Sequence, residues 1–104
     1  MATFDLYGLH GPTIETSLEV MEAVLGVKWM AHDSSYHGGV YYRLEHAGGE
    51  HFMLQRNYDE FGEEWAEPEF KDWACLLYVN DTTRAQELER RLARVGDLLR
   101  RQEL

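Results

Sequence analysis

The chain of 104 residues predicts an α+β domain in which two helices pack on an antiparallel sheet. Three features of the sequence predict this class. Two stretches have apolar residues at helical spacing, each preceded by threonines and followed by a glycine. Several short runs rich in aromatic and β-branched residues are typical of strands. A Gly-Gly pair between two such runs indicates a hairpin.

The first unit is a strand, a helix and a second strand. The strand spans Thr3 to Leu9, and the helix begins near Thr13 or Thr16, where Thr16 to Glu19 fits a capping box. Gly26 is expected to end the helix, and a strand through 27–31 follows. The apolar stripe of the helix consists of Ile14, Leu18, Met21 and Leu25.

A central hairpin is predicted next, with its first strand from about Val40 to Glu45. If Gly48 and Gly49 are the two turn residues, His46 faces His51 and Leu44 faces Met53. Both faces of the hairpin then mix polar and apolar side chains, so the pattern leaves open which face is buried.

The last part of the chain predicts a second strand–helix–strand unit. The apolar run Ala74 to Val79 is the best candidate for a central strand. Thr83 and Gln86 fit a capping box at the start of a second helix, Gly96 is expected to end it, and a final strand contains Leu98, Leu99 and Leu104. Leu18, Leu25 and Gly26 match Leu88, Val95 and Gly96 at a constant spacing of 70 residues, which suggests an internal repeat.

The resulting order, βαβββαβ, resembles the ferredoxin-like sandwich, an antiparallel sheet with two helices on one face. The resemblance covers the whole chain and rests on element order rather than on a motif. The length of the chain fits a single domain over residues 1–104, and a long acidic and aromatic loop is expected between the hairpin and the central strand.

Composition limits the classes of function. The net charge of −9 disfavours nucleic acids and anionic membrane surfaces as partners and favours a cationic one. The N-terminus lacks the basic flank and apolar core of a signal peptide, and no apolar run is long enough to span a membrane, so we expect a cytoplasmic protein. The single cysteine, Cys75, lies in an apolar run and is expected to be a buried small hydrophobe.

Residues 58–73 are the most distinctive stretch, with seven acids, one lysine and five aromatic residues. Pure disorder usually lacks aromatic residues, so this stretch is expected either to fold over the core or to bind a partner. A docking surface would use its rings as anchors and its carboxylates to select a basic protein. The predicted contact residues are Asp59, Glu60, Phe61, Glu63, Glu64, Trp65, Glu67, Glu69 and Phe70.

The function that fits best is a stoichiometric binding protein, such as a bacterial immunity or antitoxin protein that inhibits a basic nuclease toxin. The chain is similar to such proteins in size and charge only. No nucleophile elbow or phosphate loop is present, so we expect neither an enzyme nor a cofactor.

Two alternatives stay open. The order of elements through Val79 also resembles the vicinal-oxygen-chelate fold, which holds a metal with His and Glu; His46 and His51 would be the metal ligands, with Tyr42 beside a small-molecule cleft. A homodimeric interaction module is the other alternative, in which the arginine-rich last quarter meets the acidic stretch of a second copy.

Overall fold

The computed structural model of the protein describes residues 2–26, 29–34, 39–45, 48–60 and 62–103. It is an α+β fold with two helices and a six-stranded antiparallel sheet, which confirms the predicted class. In chain order the elements are β1 Thr3–Leu9, α1 Ile14–Leu25, β2 Met30–Ser34, β3 Gly39–Glu45, β4 His51–Arg56, β5 Tyr58–Asp59, β6 Glu64–Trp65, a 3₁₀ turn Pro68–Phe70, β7 Cys75–Thr82, α2 Ala85–Leu92 and β8 Gly96–Glu103.

The strands of the large sheet lie in the order β2-β3-β4-β7-β1-β8, and β5 pairs with β6 in a separate small ribbon. The most apolar strand, β7, is central, as its sequence predicts. One core cluster combines alternate residues of the central strands with residues of both helices. Its members include Tyr7, Leu9, Ile14, Met21, Phe52, Leu54, Leu77, Val79, Leu88 and Leu92.

The first helix begins one turn earlier than the capping-box pattern suggests. Thr13 is the N-cap, and its hydroxyl oxygen accepts a hydrogen bond from the Thr16 backbone N–H at 3.1 Å. The predicted box starting at Thr16 is therefore wrong, because Thr16 already lies in the first turn. Gly26 ends the helix in a left-handed conformation with φ of 72°, as predicted.

The second helix differs from its prediction at both ends. Its N-cap is Arg84 without a side-chain cap, so the predicted box from Thr83 to Gln86 is wrong. It ends at Leu92, and Gly96 is instead the first residue of β8. A Cβ at Gly96 would lie 2.8 Å from the Gly8 carbonyl oxygen, so this glycine permits close strand approach. The proposed internal repeat therefore fails at its glycine.

The central hairpin is real, but its predicted register is wrong by one residue. Glu45 pairs with His51 and Leu44 pairs with Phe52. Residues 46–50 connect the strands instead of the predicted two-residue turn, and the register shift of one residue exchanges the two faces. Consequently Phe52 and Leu54 enter the core, with Tyr42 and Leu44 packed against it.

In the described part of the chain, no helix is long and apolar enough to cross a membrane.

Candidate functional site

We call residues 58–73 the acidic-aromatic segment, as it connects β4 to β7. It is not a featureless loop, since it contains the β5–β6 ribbon and the 3₁₀ turn. Its residues divide into an inner set that contacts the large sheet and an outer set that faces solvent.

A single asparagine just before this segment holds it in place. Asn57 is fully buried. Its side-chain amide donates to the carbonyl oxygens of Phe70, at 2.8 Å, and Trp73, at 3.0 Å, while its side-chain oxygen accepts from the Glu67 N–H at 2.9 Å. The backbone N–H of Asn57 donates a hydrogen bond to the Ala74 carbonyl oxygen, and its carbonyl oxygen accepts one from the Ala66 N–H. One side chain thus satisfies three backbone groups of the segment, which fixes the path of the chain.

Glu67 belongs to the inner set. It accepts a hydrogen bond from the Tyr78 hydroxyl at 2.7 Å and pairs with Arg100 at 2.9 Å, and its side chain is only 17% exposed. Burial and this carboxylate both raise the pKa of Tyr78. The structure therefore gives this predicted contact residue an internal role, joining the segment to β7 and β8.

The rings of Trp73 and Phe70 are half-buried at the inner side of the segment. Trp73 packs directly over Gly8 of β1, where a Cβ would lie 2.4 Å from a ring carbon, and it stacks on His10 with ring centroids 6.0 Å apart. Gly8 alternates with Tyr7 and Leu9, which belong to the core. The segment therefore covers the sheet face opposite that core, where Leu6 is also buried.

The outer set begins with two aromatic residues of the small ribbon. Tyr58 and Trp65 are cross-strand partners, and their ring centroids lie 5.0 Å apart in a tilted arrangement. The Lys71 ammonium lies 5.8 Å from the Trp65 ring centroid. This contact shows that the ring accepts a cation.

Five carboxylates of the same segment are exposed. We call them the acidic ridge: Glu60, Glu63, Glu64, Glu69 and Asp72. Within the described residues none of the five makes a hydrogen bond or an ion pair. Asp59, in contrast, is half-buried, and the predicted contact Phe61 lies outside the described residues.

A cleft of about 430 Å³ opens between the segment and the start of α1. It is lined by Tyr58, Trp65 and Lys71 of the segment, by Glu15 of α1 and by Arg56 of β4. The side chains of Arg56 and Glu15 approach each other to 3.5 Å. The cleft is thus a concave site beside the acidic ridge, lined by rings and by both signs of charge.

Other carboxylates of the chain are held by arginines. Asp5 has a fully buried side chain and forms two hydrogen bonds of 2.9 Å with Arg101. Glu50 receives bonds from Arg84 at 2.7 and 3.0 Å and from the Thr82 hydroxyl at 2.6 Å. Hydrogen bonds from these carboxylates raise the pKa of Arg84 and of Arg101, so both guanidinium groups stay charged.

The alternative metal site receives no support from the described residues, which contain no group of three or more His, Cys, Asp and Glu side chains able to hold a metal ion. His51 pairs with Glu45, and its Nδ1 lies 2.8 Å from the Gly49 carbonyl oxygen. The predicted pairing of His46 with His51 is therefore wrong, and His46 itself lies outside the described residues. Tyr42 packs against the core.

Comparison with protein families, curated proteins and solved structures finds no significant match to this chain. The geometry of the site is therefore the basis for assigning a function.

Asn57 is the site residue that sequence reasoning missed. Asparagine after a strand predicts a turn, and the sequence gives no further signal that its side chain is buried. Its three side-chain bonds reach as far as Trp73, so its role depends on how the segment folds back.

Proposed function

We propose that this protein is a small stoichiometric binding protein that docks a basic partner protein through the acidic ridge. The most specific form of this proposal is an immunity or antitoxin-type inhibitor of a basic nuclease. The observation that supports it is the set of five exposed carboxylates that have no internal ion pair in the described chain.

Electrostatics favours this use of the ridge. Its five charges lie on one segment of a chain whose net charge is −9, so a cationic protein is attracted at long range. Exposed carboxylates retain their hydration until a partner arrives, and pairing with lysines or arginines then adds specificity and association rate.

The rings beside the ridge provide an anchor. Trp65 and Tyr58 present a ring pair at the mouth of the cleft, and aromatic residues in such positions dominate many interfaces. Lys71 over Trp65 imitates what a partner's lysine or arginine would do. We expect one basic side chain of the partner to enter the cleft against these rings.

We also infer a ferredoxin-like sandwich with two additional strands. Strands β8, β1, β7 and β4 are consecutive in the sheet, and a helix follows both β1 and β7. Both helices contribute to the same core cluster, which supports placing them on one face. In this arrangement the acidic-aromatic segment covers the other face and extends to the start of α1, where Glu60 and Asp72 of the ridge line the cleft.

The test is a comparison of two double charge reversals. Glu63→Lys with Glu64→Lys changes the ridge, and Glu19→Lys with Glu103→Lys makes the same change of net charge at exposed positions of α1 and β8. Each protein is used to capture partners from an extract of the source organism, and the association rate is then measured with the purified captured protein at low and high salt.

The proposal predicts capture of a basic protein by the wild type and the control, with an association rate about tenfold slower for the ridge variant and a weaker salt dependence. If the two variants slowed association equally, the net charge of the protein alone would explain the effect. That result would contradict docking at the ridge. Light scattering on the isolated protein tests the homodimer alternative, in which the exposed Arg90 of a second copy replaces the foreign partner.

A further inference from the structure

We propose that a second pocket, between α1, the end of β1 and the turn before β8, binds a small apolar molecule that carries a carboxylate. We call it the helix pocket. It has a volume of about 260 Å³ and shares none of its lining residues with the cleft beside the acidic ridge. The inference therefore stands apart from the proposed docking of a basic protein.

The walls of the helix pocket are mainly apolar. Leu9 and Met21 are buried core residues, and Val20 and Val95 are half-buried beside them. The His10 N–H donates to the Val95 carbonyl oxygen at 2.9 Å. This backbone hydrogen bond joins the end of β1 to the turn before β8, and both line the pocket. Such a preformed apolar pocket near the lower end of the usual volume range suits a small ligand.

One buried hydroxyl of the pocket has only a sulfur partner. Ser17 lines the pocket and is only 2% exposed; its hydroxyl contacts the Cys75 thiol and makes no hydrogen bond to a nitrogen or oxygen atom of the described residues. The hydroxyl points toward Gly11, where a Cβ would lie 2.8 Å away and which also lines the pocket. A thiol is a weak hydrogen-bonding partner, so a ligand oxygen would give this buried hydroxyl a stronger one.

Arg94 gives the pocket its charge selectivity. It lies at the exposed turn after α2 and forms no ion pair with any described residue, unlike Arg84, Arg100 and Arg101. An unpaired guanidinium beside apolar walls matches a carboxylate, which it can bind through two parallel bonds. Asp97, whose carboxylate lies 3.5 Å from His10, does not line the pocket.

The probe is octanoate, with octanol as its uncharged counterpart of equal chain length. Binding is followed by backbone amide NMR shifts on the full chain, in the wild type and in Arg94→Gln, Arg90→Gln and Val20→Phe. Arg90→Gln is the matched control, since Arg90 is an exposed arginine of α2 that does not line the pocket. Val20→Phe fills the pocket without removing apolar surface.

We expect octanoate to bind the wild type with a Kd of about 0.1–1 mM and to shift amides around Ser17 and Val95. Octanol and Arg94→Gln should each weaken binding about tenfold, since a charged hydrogen bond is lost. Arg90→Gln should leave the Kd within about twofold. Val20→Phe should abolish the shifts while the remaining spectrum stays folded. Equal affinity for octanol, an unchanged Kd in Arg94→Gln, or shifts confined to other surfaces would overturn the proposal.

Discussion

The carboxylates of this protein fall into two groups that differ in burial and in pairing with arginine. Asp5, Glu50 and Glu67 are mostly or fully buried, and each is bonded to an arginine that is distant in sequence. The carboxylates of the acidic ridge are exposed and form no ion pair in the described chain. Chemically identical groups thus join strands in one region and lie exposed to solvent in the other. The location of arginines, not the number of acids, separates these roles.

The largest effect should come from Asp5→Asn, which keeps the shape of the side chain and removes its charge. Arg101 would lose its buried partner and retain the exposed Glu89, at 2.9 Å, and the Ala85 carbonyl oxygen, at 3.5 Å. We expect a loss of about 3 kcal/mol in the free energy of unfolding, measured by urea denaturation. Glu64→Gln on the ridge is the matched control and should stay within about 0.5 kcal/mol of wild type. If both variants lost similar amounts of unfolding free energy, buried carboxylates paired with arginine would not differ in stability from the exposed carboxylates of the ridge.

An intermediate effect is expected for Glu67→Gln, because this residue connects the acidic-aromatic segment to the sheet. Weakening its bonds to Arg100 and Tyr78 should cost about 2 kcal/mol. The pKa of Tyr78, which burial and Glu67 raise, should fall toward its ordinary value. An ultraviolet titration of tyrosinate measures this shift, and Tyr78→Phe identifies the signal. An unchanged titration would show that Glu67 does not hold Tyr78 in solution.

The smallest effect should be an increase in stability. Glu63, at the turn between β5 and β6, has a left-handed backbone with φ of 53°, which glycine adopts more easily. We expect Glu63→Gly to stabilise the fold by about 0.5–1 kcal/mol in thermal unfolding, while association with a basic partner becomes slower. Glu63→Gln, which keeps the backbone requirement, should show only the slower association. A stability loss in Glu63→Gly would indicate that this carboxylate has a structural role.

Local patterns predicted most elements well. The bounds of β1 and the glycine stop of α1 agree with the sequence because alternation and a left-handed cap are properties of neighbouring residues. The predicted hairpin register was wrong because Gly48 and Gly49, although both take the positive φ expected of turn glycines, belong to the five-residue connection 46–50 and not to a two-residue turn. The observed register places Phe52 and Leu54 of β4 in the core that the helices cover, and burial of these side chains specifies it.

The acidic-aromatic segment was recognisable from composition, but its division into inner and outer residues was not. Glu64 and Glu67 are three residues apart, and one is exposed while the other pairs with Arg100. That difference follows from Asn57, which turns the Glu67 backbone toward the sheet. Interactions over such sequence distances have no local signature.

The sequence alone determined the α+β class, the central place of β7, the strong negative charge and the segment where acids and rings concentrate, because these depend on composition and short-range periodicity. Only the tertiary structure decided which carboxylates are paired, which sheet face the segment covers, and where the two pockets open. These outcomes depend on which distant residues meet, and the partners of Asp5 and Glu67 lie 96 and 33 residues away along the chain.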